Sequence, residues 1–157
     1  MNETFTLALM GALAVLMVYM AVRDVQTYRI RNWIVVATIL GGVAFWGAIG
    51  LPLWPDAALR VGVAFGVFVL LYVLFLIGVM GGGDVKLGAA LALWFPWAAT
   101  IQFLVIMSLA GGVLSLAVLL HHRITKKTGK AEVPYGVAIA FATLWLLAQR
   151  FLNHFAG

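Results

Sequence analysis

The 157-residue chain has no cysteine. That excludes disulfides, zinc–thiolate sites, iron–sulfur clusters and a cysteine nucleophile. Charge is also scarce: 10% of residues are charged against 65% hydrophobic, which is far from the balance of a soluble domain. Only five residues are acidic. No internal repeat, low-complexity tract or linker interrupts the chain, and the Met1-Asn2-Glu3 start lacks the basic region of a cleavable signal peptide. The net charge of +5 has no basic face or aromatic platform beside it, so nucleic acid is not an expected partner. What remains is a small all-α polytopic membrane protein, read as a single transmembrane domain over residues 1–157, with membrane lipid as its solvent.

Six apolar segments are legible: Phe5–Val22, Trp33–Leu51, Leu59–Val79, Val85–Phe95, Thr100–Leu120 and Pro134–Phe151. Five have the length a hydrocarbon crossing needs. The fourth is short, since eleven residues rise only about 16 Å, so it either spans a thinned region or starts below the membrane surface. Lys and Arg set the orientation. Arg23, Arg29, Arg31, Lys86, Arg123, Lys126, Lys127 and Lys130 fall in the loops after spans 1, 3 and 5, leaving only Arg60 and Arg150 at span edges on the other side. Positive loops stay inside, which predicts six spans with both termini outside. Trp46, Trp54, Trp94 and Trp97 are expected in an aromatic belt at the outer interface. Gly41-Gly42 and Gly111-Gly112 are expected to let helices pack closely.

Against this background Asp84, in Gly81-Gly82-Gly83-Asp84-Val85-Lys86-Leu87, is expensive. An ionisable residue inside a membrane span is a functional-site hypothesis by default. The glycines before it are expected to free the backbone from the helix. Topology places Asp24 and Glu132 on the same side of the membrane as Asp84, and Glu3 and Asp56 on the other. Asp24 ends span 1 and Asp84 opens span 4. Two neighbouring carboxyl groups cannot both ionise easily, so one serves as acid and the other as base, the arrangement for aspartic peptide hydrolysis. Structural roles compete: Asp24 as an interfacial counter-charge to nearby arginines, and Asp84 as a helix N-cap. Asp24 near a helix C-terminus and Asp84 at a helix N-terminus would make Asp84 the ionised base and Asp24 the protonated partner.

Gly81-Gly82-Gly83-Asp84 matches the GxGD motif of membrane aspartic peptidases, and the longer string Gly-Gly-Gly-Asp-Val-Lys-Leu resembles the type IV prepilin peptidases. Asp24 followed by Arg29-Ile30-Arg31-Asn32 resembles that family's first catalytic segment, with Arg31 where proline is usual. Val133-Pro134-Tyr135-Gly136-Val137-Ala138-Ile139-Ala140 resembles its third stretch. The presenilin branch, which shares GxGD, is disfavoured because Asp24 is not in a Tyr-Asp pair and no Pro-Ala-Leu string occurs.

The resemblance is to the short form of the family, found with tight-adherence (Flp-type) pili. It implies Asp24 and Asp84 as the catalytic pair and a prepilin as substrate. The leader would be cut, typically after a glycine, at the cytoplasmic face of the cell (inner) membrane. No metal or cofactor is implied. The cysteine-bearing segment of the long forms is missing, which implies a peptidase without N-methylation.

Further candidates around the pair are Gly81, Gly83, Lys86, Asn32, Glu132, Pro134, Tyr135 and Gly136. Lys86 could steady the acids or the substrate carbonyl, Glu132 could attract a basic leader, Asn32 could cap span 2 or orient Asp24, and Pro134 would open span 6. The adjacent His121-His122 cannot face one ligand from a helix. A homo-oligomer is left open. Rival readings are an archaeal-type preflagellin peptidase, a proton-coupled transporter and a non-catalytic assembly factor.

Overall fold

In hydrocarbon the backbone has no water to bond, so every apolar run must satisfy its own amides, and a helix does so within one segment. The computed structural model describes residues 3–125 and 132–156. Lys126, Lys127 and Lys130, which contributed to the expected orientation, lie outside the described residues. Among the described residues six α-helices follow one another: α1 (Glu3–Thr27), α2 (Asn32–Ile49), α3 (Ala58–Leu76), α4 (Gly82–Ala92), α5 (Trp97–Ile124) and α6 (Tyr135–Ala156). No strand occurs among the described residues. A wide turn at Leu53–Ala57 leads into α3. Five helices are long and apolar enough to cross a membrane, with Leu53–Leu76 taken as one; α4 is not among them. It has the eleven residues the hydropathy suggested but begins at Gly82 rather than Val85.

The stops between helices have local causes. Gly50, at φ 66°, ends α2 in a left-handed cap. Gly78, at φ 74°, makes the turn after α3. Pro96 stands before α5, and Pro134 before α6. The glycines ahead of Asp84 behave otherwise than the sequence suggested. Gly82 and Gly83 are helical, and Gly81 has an ordinary extended conformation at φ −77°, ψ 149°. The conformational freedom of glycine is used at Gly78; at Gly81 and Gly83 what matters is the missing side chain.

The helices form a ring in which α4 joins α2 to α3. α1 packs between α2 and α6, and α6 against α5. α4 lies between α2 and α3 and touches α6, while α3 and α5 barely meet. Most of α4 is buried, including Val85, Leu87, Gly88, Ala90, Leu91 and Ala92. The long helices instead turn Phe65, Leu109 and Val113 outward, as lipid-facing surfaces do.

Lipid supplies no hydrophobic force between helices, so close packing and hydrogen bonds must hold them. The C-terminal end of α4 shows how. Trp94 is 3% exposed and stacks on Phe45. Its ring fills the space left by Gly41 and Gly42, where a β-carbon on Gly41 would lie 2.7 Å from Trp94 Cζ2. Trp94 Nε1 donates to the Thr38 carbonyl at 2.9 Å, and Trp46 Nε1 donates to the Leu93 carbonyl at 2.8 Å. Arg60, only 8% exposed, donates through Nη1 to the Trp94 carbonyl at 3.1 Å and reaches that of Leu93 at 3.5 Å.

This corrects one expectation. Trp54 and Trp97 are exposed and Trp46 is half-buried, but Trp94 is an interior donor rather than a member of a belt. Arg60 stands in the first turn of α3, at the span edge, yet it is buried, and its cationic group lies on the carbonyl end of a buried helix, which its charge favours.

Candidate active site

Asp24 lies one turn before the end of α1 and is 3% exposed. The helix closes through the Tyr28 N–H, which donates to the Asp24 carbonyl at 2.8 Å, with Tyr28 itself left-handed at φ 50°. The chain then crosses to α2 and lays Ile30 on the start of α4. A β-carbon on Gly83 would lie 3.0 Å from Ile30 Cβ and 3.4 Å from its carbonyl oxygen. Only a glycine lets the two segments approach so closely. As a result Asp24 and Asp84 line one cavity of about 250 Å³, together with Tyr28, Arg29, Ile30 and the three glycines.

Asp84 is 8% exposed and sits three residues after Gly81, the N-cap of α4. Its Oδ2 accepts the Gly81 N–H at 3.1 Å, the return half of a capping box. Asp84 is therefore not the N-cap itself, as one sequence reading had it. The bond holds its side chain back over the glycine turn, where a β-carbon on Gly81 would lie 2.9 Å from Oδ2.

Asp24 is held from a different helix. Its Oδ2 accepts the Gly136 N–H at 2.8 Å, while the neighbouring Val137 N–H donates to the Pro134 carbonyl at 3.1 Å. The Gly136 amide belongs to the first turn of α6, which has no intrahelical acceptor for it. Pro134 precedes that turn and has no side-chain oxygen, so Asp24 caps α6 from α1. The contact leaves no room for a side chain: a β-carbon on Gly136 would lie 2.6 Å from Asp24 Oδ2 and 2.8 Å from Met20 Sδ. This overturns the dipole argument for telling the acids apart. Asp24 is near the C-terminus of its own helix, but its carboxyl lies at the N-terminus of another. Both acids thus sit at helix N-termini, and the dipoles do not distinguish them.

Of the other candidates, Gly81 and Gly83 line the cavity and Gly136 touches Asp24. Pro134 is buried one residue before α6 rather than within it. Tyr135 lies beside Gly111 of α5, and its hydroxyl is 3.1 Å from Ser115 Oγ. Lys86, Asn32 and Glu132 are exposed, and none lines the cavity. Asn32 does not cap α2, because Arg31 is the N-cap residue. Tyr28, Arg29 and Ile30 were not singled out as site residues. Arg29 entered as an orientation charge and counter-charge, and with Ile30 as part of the stretch that resembles the family's first catalytic segment; nothing local in the sequence marks Tyr28.

Residues 11–116 match the model of the type IV leader peptidase family. The chain belongs to that family. The matched stretch contains both Asp24 and Asp84 and ends before α6. No curated protein and no solved structure was found to match. As a type IV leader peptidase family member with five apolar helices of spanning length, the protein is a peptidase of multi-pass membrane type.

Proposed function

We propose that the protein is an aspartic endopeptidase that removes the basic leader of a type IV, Flp-like prepilin, with Asp24 and Asp84 as the catalytic pair. The observation that carries this is the shared cavity: two buried carboxyl groups, from helices far apart in the chain, open onto one space bordered by glycine backbone.

The pair holds one proton between them, because two charges in so small and buried a space repel. The ionised carboxylate takes a proton from water as the water oxygen attacks the scissile carbonyl carbon. The protonated carboxyl donates its proton to the carbonyl oxygen. The tetrahedral intermediate then collapses: the C–N bond breaks, the leaving nitrogen takes up a proton from the acid that first accepted one, a hydroxyl of the intermediate returns its proton to the other carboxylate, and the leader departs with a new carboxyl end. No cofactor enters the scheme.

The active site faces the cytoplasm of the inner membrane in this reading, because the basic loops flank it. In this reading it cuts without methylating the new N-terminus, as the resemblance to the short form of the family implies. Co-expression with a candidate prepilin tests the proposal. Wild type should shorten the prepilin, while Asp24→Ala and Asp84→Ala should leave it full length. Normal processing by either variant would sink the assignment.

A further inference from the structure

A further cavity, of about 350 Å³, lies at the end of the bundle opposite the acids. The start of α1 and the ends of α2 and α6 border it, through Glu3, Leu7, Met10, Phe45, Ile49 and Arg150. From Glu3 to Asp24, α1 rises about 32 Å. The hydrocarbon core of a bilayer is about 30 Å thick. The cavity and the acids therefore stand at opposite membrane faces, and this one lies at the depth of lipid headgroups.

Its wall is mostly apolar, with one cation set in it. Arg150 is half-buried, and its guanidinium lies 5.3 Å from the centre of the Phe45 ring. Among the described residues no carboxylate forms an ion pair with it, although Glu3 lines the same cavity. The Thr6 hydroxyl on this wall is buried and likewise has no hydrogen-bond partner. A cation partly withdrawn from water is costly without an anion. The guanidinium fork suits phosphate, which takes two N–H donors at once. Glu3 adds the opposite charge nearby. A purely anionic ligand meets repulsion there, whereas a phosphate carrying an amine matches both charges.

We propose that this cavity binds a phospholipid with a zwitterionic headgroup of the phosphoethanolamine class. Arg150 takes the phosphate, Glu3 takes the ammonium, and the start of an acyl chain covers Leu7, Met10 and Ile49. The membrane supplies such a ligand at this depth. A primary ammonium donates hydrogen bonds to Glu3; a trimethylated one has none to give. The bound lipid bridges α1 and α6, which meet again at their other ends through Asp24 and Gly136. The site needs only a protein seated in a membrane and does not depend on the peptidase reading.

The test follows the melting temperature of the full-length protein, purified free of lipid in detergent, as single lipids are added back. Phosphatidylethanolamine should raise the wild-type midpoint by at least about 3 °C, as a ligand well above its Kd does in a chain of this size. Phosphatidylcholine and phosphatidylglycerol should raise it less. Arg150→Gln should lose the rise with all three lipids, measured against its own lipid-free midpoint. Glu3→Gln should lose the preference for phosphatidylethanolamine over phosphatidylglycerol. Leu7→Trp narrows the apolar part and keeps both charges, so it should weaken the rise even if Arg150→Gln fails to fold. No rise in wild type, an equal rise in Arg150→Gln, an undiminished rise in Leu7→Trp, or a preference that survives Glu3→Gln overturns the site. Water-soluble phosphoethanolamine giving the full rise overturns the lipid assignment.

Discussion

At its N-terminal end, α4 meets glycine backbone and a cavity; at its C-terminal end it meets long side chains that fill every space. Asp84, at the first end, has one backbone donor from Gly81 and faces open volume. Leu93 and Trp94, just past the second end, have carbonyls bonded by Trp46 and Arg60, while the Trp94 ring is wedged against Gly41 and Gly42. One end of an eleven-residue helix carries polar groups with room for a reactant, and the other is locked. A short helix has little contact area of its own, so the locked end fixes where the open end stands. Hydrogen bonds from side chains of the neighbouring α2 and α3 do that without placing any group in the cavity.

Four substitutions break or sharpen this contrast. Asp84→Asn should abolish leader cleavage, a loss of at least about a hundredfold for removal of an acid–base group, with an unchanged melting temperature in detergent. Gly136→Ala comes next. Its methyl group would displace the Asp24 carboxyl, which is the movable end of a side chain, so cleavage should fall about tenfold (about 1.4 kcal/mol in barrier) while stability changes little. A large melting shift in this variant would mean that Gly136 acts in packing rather than in placing the acid.

At the locked end the order of effects should reverse. Arg60→Met leaves the Trp94 carbonyl without its donor and should cost about 1–3 kcal/mol in stability, read by thermal unfolding, with a smaller loss of cleavage than Asp84→Asn. Trp46→Phe removes one donor to Leu93, which Arg60 also approaches, and should cost about 1 kcal/mol. If Arg60→Met abolished cleavage at full stability, the division between a reactive and a structural end would be wrong.

Much of the architecture was legible from hydropathy alone, because a membrane demands long apolar helices and the shortness of the fourth run survives in α4. The two acids stood out because charge is rare in such a chain. Local reasoning failed where partners come from elsewhere. Trp94 and Trp46 look like belt residues on composition, yet their indole donors meet carbonyls 56 and 47 residues away. Asp24 looks like the C-terminal acid of one helix, yet it caps another 112 residues later. Gly111 and Gly112 are identical neighbours, yet only at Gly111 would a β-carbon meet Tyr135 and Ala138 of α6.

The sequence by itself determined that this is a helical membrane protein with a costly acid behind three glycines, because hydrophobicity and charge act on each segment separately. Only the tertiary structure decided that Asp24 shares a cavity with Asp84, that the Gly136 amide of α6 holds it there, and that Arg60 and two tryptophans anchor the far end of α4. Those are pairings of donors with acceptors and of side chains with gaps, and they exist only once distant segments are brought together.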